Sequence, residues 1–139
     1  MRMYLTLLVV TMIALTGGCK TYGGSANTLP EDVNGNFHLQ IHNTKFTVEP
    51  ETIKVFLDGK EAANRWYGGA KGHSEKRFQF YLAPGAHVLL AKRGSIEQEF
   101  PFEVTNQVYG VLTFSPEKQF EFQVSDEPIY VPGNKMVYK

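Results

Sequence analysis

Beyond residue 36 apolar and polar side chains alternate along most of the chain, and this period of two predicts β-strands. Phe37, Leu39 and Ile41 face one way and His38, Gln40 and His42 the other, which predicts a half-buried strand over 37–42. Ile53, Val55 and Leu57 repeat the pattern against Thr52, Lys54 and Phe56, and Asp58-Gly59 ends that run as a turn. From Phe78 a meander follows. Strands are expected over 78–82, 87–91, 96–104, 108–114 and 120–124, with a last short one over 129–131. The turn Ala83-Pro84-Gly85-Ala86 separates the first two of these, with Pro84 pre-setting φ and Gly85 supplying a positive φ. Pro101 lacks an amide donor, so its strand belongs at a sheet edge or carries a bulge.

Residues 58–77 break this rhythm. They hold four glycines, several charges and the chain's one tryptophan, Trp66, beside Tyr67. A loop of this length is long for a compact domain, and it is expected to be functional, mobile or partly a short helix over 61–65.

Seven or eight antiparallel strands joined by tight turns predict an all-β fold, a single two-sheet sandwich of Ig-like or prealbumin-like type over residues 37–139. The inward positions of the alternation are Phe37, Leu39, Ile41, Ile53, Val55, Leu57, Phe78, Phe80, Leu82, Val88, Leu90, Phe100, Phe102, Val111, Phe120 and Phe122.

The first 36 residues follow other rules. Arg2 supplies a positive charge, residues 4–15 are an apolar run without alternation, and Thr16, Gly17 and Gly18 are small or polar. That is the anatomy of a signal peptide over residues 1–18, and the run is shorter than the roughly 18 to 20 residues that span a bilayer. Residues 20–36 are rich in Gly, Ser, Asn and Pro with little to bury, so 19–36 is expected to be a flexible tether.

The stretch Leu15-Thr16-Gly17-Gly18-Cys19, closed by the only cysteine, resembles the lipobox of bacterial lipoprotein precursors, with Leu15 one step further from the cysteine than that pattern has it. The resemblance implies cleavage before Cys19 and acyl chains on its thiol. Two or three chains, at about 0.8 kcal/mol per buried CH₂, would hold a soluble domain on a membrane. Lys20 after the cysteine implies the outer membrane, facing the periplasm. A second resemblance covers about forty residues. Residues 52–60, ending in Asp58-Gly59, followed by Leu82-Ala83-Pro84-Gly85-Ala86-His87-Val88, look like the transthyretin-like and PEGA-type modules of bacterial envelope proteins. It implies an accessory module without chemistry of its own.

Charge and composition narrow the picture further. Fourteen basic residues balance fourteen acidic ones, with no basic stripe for nucleic acid and no acidic tail for a cation. One cysteine permits no intramolecular disulfide, so the core alone must hold the fold. Of the four histidines, His38 and His42 share a strand face but stand roughly 13 Å apart along it, too far to hold one ion, and no metal site is expected. Glu97, Glu99 and Glu103 read as a charged solvent face, and no nucleophile, phosphate or dinucleotide motif occurs. No catalytic residue and no cofactor are therefore expected.

The remaining candidates lie in the 58–77 stretch. Trp66 and Tyr67, with Arg65 and His73 near them, suit an envelope protein partner or stacking against a glycan such as peptidoglycan, while Trp66 folded back as a cap on the sandwich is the structural alternative. The expected function is a lipid-anchored cell-envelope interaction module, held to the membrane through Cys19.

Overall fold

The structure, a computed structural model, describes residues 27–43, 51–67, 75–114 and 119–129. Cys19, His73 and most of the signal-peptide and tether readings lie outside these residues, as do Tyr130 and Val131. Ile129 carries no strand.

The fold is all-β, a sandwich of eight strands in two sheets: β1 (Phe37–Asn43), β2 (Glu51–Leu57), β3 (Lys60–Tyr67), β4 (Glu75–Phe80), β5 (Gly85–Arg93), β6 (Ile96–Val104), β7 (Val108–Phe114) and β8 (Phe120–Ser125). One sheet has the order β4-β1-β7-β8 and the other β3-β2-β5-β6. All pairings are antiparallel except β1 with β7, which is parallel. Three pairs are hairpins, β2-β3, β5-β6 and β7-β8. The Pro84-Gly85 turn is not a hairpin, because β4 and β5 belong to different sheets and the chain crosses between them there.

The expected loop over 58–77 is corrected by β3. Asp58 and Gly59 have φ of 50° and 79°, the positive pair that a two-residue hairpin turn requires, and Leu57 and Lys60 pair across it. The next five residues, Lys60 to Asn64, are polar or alanine, so their composition hides a strand that exists because β2 offers an unpaired edge. A bulge between Val55 and Phe56 lets both Ala62 and Ala63 be buried. No helix forms over 61–65.

Apolar faces from both sheets make one core, in which Phe37, Leu39, Ile41, Ile53, Val55, Leu57, Phe80, Leu89, Leu112 and Phe114 are at most 1% exposed. Three inward assignments are corrected. Val88 is 40% exposed and Leu90 half-buried, while Leu89 and Ala91 fill the core. Residues 88–91 are all apolar, so alternation alone cannot choose a face. The pairings Leu57 with Leu89 and Val55 with Ala91 choose it. Val111 is buried, but on the outer face beside Gln40, with Leu112 inward in its place. Pro101 lies on β6, which pairs only with β5 and is a sheet edge, as its missing amide requires.

Within the segment expected as a tether, residues 27–32 are held by backbone hydrogen bonds. The Leu29 amide donates to the Glu61 carbonyl (2.8 Å), the Glu61 amide to Asn27 (2.8 Å), and the Asp32 amide to Gln79 (2.9 Å). Residues 27–32 thus form a strap that pairs first with the β3 edge of one sheet and then with the β4 edge of the other. Gly35 seats the end of the strap, where a Cβ would come within 2.2 Å of the Phe80 carbonyl oxygen.

Candidate functional site

The strand over 60–67 decides what the predicted aromatic site can do. Successive side chains on a strand leave opposite faces, so Arg65 and Tyr67 share one side and Trp66 takes the other. Trp66 is 57% exposed on the outer face, opposite Thr52. Tyr67 is wholly buried, its ring edge-on to Phe114 with centroids 6.1 Å apart. Burial pushes its phenol far above the usual tyrosine range. Arg65 reaches across the open side of the sandwich, with its guanidinium 5.9 Å from the Phe78 ring centroid in the opposite sheet. Of the three described residues of the predicted site, Trp66 therefore faces away from Arg65 and Tyr67. Trp66 stands as a single exposed aromatic face, Arg65 lines a cleft of about 240 Å³ between the strap and β3, and His73 lies outside the described residues.

A second constellation forms where the sequence showed only two turns. The His87 ring lies between two acceptors, with Nδ1 2.6 Å from Asp58 Oδ2 and Nε2 2.6 Å from the Ala83 carbonyl. Asp58 Oδ1 accepts from the Val88 amide at 2.9 Å, and the Asp58 amide donates to the Val88 carbonyl at 3.0 Å. The ring also leans on Phe102, centroids 5.8 Å apart. A neutral imidazole has one N–H, so two acceptors favour the doubly protonated ring. Burial alone would lower the pKa of His87, but the bonds to Asp58 and Ala83 and the carboxylate charge outweigh it and raise the value. For Asp58, burial would raise the pKa, and the bonds from His87 and Val88 with the nearby positive charge lower it instead. The result is a charged clamp that ties the β2-β3 turn to the β4-β5 crossover. The signals were in the sequence, as Asp58-Gly59 and Pro84-Gly85-Ala86-His87, but nothing in strand alternation says that two turns thirty residues apart meet.

The outer face of the β4-β1-β7-β8 sheet departs from expectation in another way. His38 and His42 do share a face, yet both are buried and not solvated, at 9% and 5% exposure. His38 stacks on Tyr109, centroids 4.7 Å apart, and its Nε2 is 2.8 Å from Gln107 Nε2; its desolvation lowers its pKa. His42 Nε2 is 3.6 Å from Glu75 Oε2. Among the described residues no group of three His, Cys, Asp or Glu side chains is placed to hold a metal ion.

At the other end of the sandwich a polar pair sits inside. Arg93 Nη2 donates to Glu51 Oε1 at 2.5 Å, and the guanidinium lies 5.3 Å from the Phe114 ring centroid. The β6 carboxylates remain on the outer face, where Glu97 accepts from Lys92 Nζ at 2.8 Å. Neither a family model nor a curated protein matches the sequence.

Proposed function

We propose that the chain is a lipid-anchored protein of the bacterial cell envelope, whose sandwich is an interaction module without chemistry of its own. The observation that carries the reading is the lipobox-like stretch ending at Cys19, the only cysteine, directly behind an apolar run too short to span a bilayer. Intact mass of the membrane-extracted protein tests the proposal. A chain beginning at Cys19 and carrying acyl groups, lost in Cys19→Ala, is the expected result; an unmodified chain released from the membrane refutes it.

One observation favours a second reading, a peptidoglycan-binding lipoprotein. Trp66 presents more than half of its surface on an outer sheet face beside Thr52 and Asn64, a flat apolar ring next to hydrogen-bonding side chains, as stacking on a sugar requires. Retention of the domain on purified sacculi, abolished by Trp66→Ala, is the expected outcome. Equal retention of the variant removes this reading.

A further inference from the structure

The two sheets end in β4 and β8 on one side of the sandwich and in β3 and β6 on the other, and a strand edge left bare is a template for pairing with another chain. Three of these edges are blunted. The strap bonds to β3 through Leu29 and Glu61 and to β4 through Asp32 and Gln79, and β6 carries Pro101 with Glu97, Glu99 and Glu103. β8 has neither proline nor bulge, and Glu121 is its only charged residue. The ladder fixes which of its backbone groups point outward. The Val108 amide donates to the Asn36 carbonyl at 2.8 Å, so alternate residues from Val108 turn their amides and carbonyls toward β1. Tyr109, Val111 and Thr113 turn theirs toward β8, where they meet Ser125, Gln123 and Glu121. Phe120, Phe122 and Val124 therefore turn theirs away from the sheet, and the Phe120 amide accordingly donates to Gln98 Oε1 on β6 at 3.0 Å. Among the described residues no hydrogen bond reaches the outward backbone groups of Phe122 and Val124, and Val124 is 39% exposed.

We infer that a second copy of this chain pairs antiparallel with the β8 edge, about a two-fold axis at Gln123. The outward groups choose this register. Phe122 lies opposite the partner's Val124 and exchanges both backbone bonds with it, and the axis repeats the exchange on its other side. An axis one residue earlier, at Phe122, would take the Phe120 amide away from Gln98. An axis one residue later, at Val124, would set Glu121 against the partner's Glu127 and Phe122 against the partner's Asp126. With the axis at Gln123, Glu121 faces the partner's Ser125 and the exposed Val124 faces the partner's Phe122. The two Gln123 carboxamides meet on the axis, each offering a donor and an acceptor to the other. This match of the strand to itself, in backbone bonds, apolar pairs and charge, is what favours a second copy over an unrelated extended peptide. The two four-stranded sheets then run on as one, with β8 beside the partner's β8 at the centre.

Disulfide trapping in the otherwise complete Cys19→Ala chain tests the inference. Opposed residues that share no backbone bond stand roughly 4.5 Å apart at Cα, within the range that a disulfide spans. Gln123→Cys is expected to give a cross-linked dimer on mild oxidation at least about tenfold faster than Lys54→Cys, an exposed residue on the outer face of the other sheet. Equal rates overturn the inference. Charge at the axis then reads the register. Gln123→Glu and Gln123→Lys, each alone, are expected to associate about tenfold or more weakly than the unsubstituted chain in sedimentation, because like charges meet, and an equimolar mixture of the two is expected to recover the dimer. Both changes fall on an exposed side chain, so loss of the dimer is not loss of the fold. A chain that sediments as a monomer at every concentration overturns the inference. So does a dimer that Gln123→Glu leaves intact, which would place the contact on another surface, or an edge that takes up only an added extended peptide.

Discussion

A double-mutant cycle on Asp58 and His87 measures the clamp. Asp58→Asn keeps an acceptor for the Val88 amide and removes the charge, and His87→Gln keeps a donor and removes the second one. Hydrogen bonds to a charged group contribute about 1.5–3 kcal/mol. The His87 side chain is 11% exposed but that of Asp58 is 46% exposed, so solvent screening reduces the coupling to about 1 kcal/mol. In a domain of this size that corresponds to a Tm shift of about 4–8 °C. The pH dependence carries the sign. His87 has a raised pKa, so its contribution is complete below the ordinary value of 6.5 and is lost as pH rises through the higher folded value. Asp58 has a lowered pKa, so its contribution is complete above 3.8 and is lost as pH falls through the lower folded value. The coupling is therefore largest between about pH 4 and 6.5 and declines on both sides. Urea unfolding of the wild type and the three variants at about pH 5.5 and pH 9 reads it directly. A coupling that is equal at the two pH values, or larger at the alkaline one, refutes an imidazolium held between two acceptors.

Two further substitutions test the packing. Leu89→Ala is expected to cost about 2–5 kcal/mol in denaturant unfolding and Val88→Ala less than about 0.5 kcal/mol, the reverse of what alternation from Val88 would give, and comparable losses would contradict the register of β5. Gly35→Ala places a methyl against the Phe80 carbonyl, a backbone group that cannot turn aside, so a loss of about 3 kcal/mol or more and faster proteolysis within 27–36 are expected; unchanged protection of the strap would show that it seats elsewhere.

Much of the frame was legible because one physical rule governs it. Where one face is apolar and the other polar, as at Ile53, Val55 and Leu57 or at Phe78 and Phe80, alternation identifies both the strand and its inward side. The rule loses its hold in three kinds of place. At 88–91 every residue is apolar, and the face follows from pairing with β2. In β1, central in its sheet, the polar set His38, Gln40 and His42 is buried as well, so the pattern gives the faces correctly but the solvation wrongly. In β3 the first five side chains, Lys60 to Asn64, carry little strand preference, and the element is set by the Asp58-Gly59 hairpin and the free edge of β2. The predicted aromatic cluster is divided for the same reason: Arg65, Trp66 and Tyr67 are neighbours in a loop but not on a strand, where the middle one faces away from the other two.

The Glu51-Arg93 pair shows the limit of reading charge from sequence. The two residues stand at strand ends, positions where charge ordinarily meets water, yet Arg93 is 8% exposed and Glu51 lies on the inward side of β2. Inward placement follows from register, since Arg93 continues the face of Leu89 and Ala91, and Glu51 that of Ile53 and Val55. Once both are inside, neither can stay unpaired, because a lone buried charge costs several kcal/mol more than the pair. The bond between them and the seat of the guanidinium on Phe114 make the arrangement tolerable. It also makes it selective, because sliding β5 by one residue against β2 would bring Lys92 inward and part the charges. The pair therefore reinforces at one end of the sandwich the register that Asp58 and His87 hold at the other.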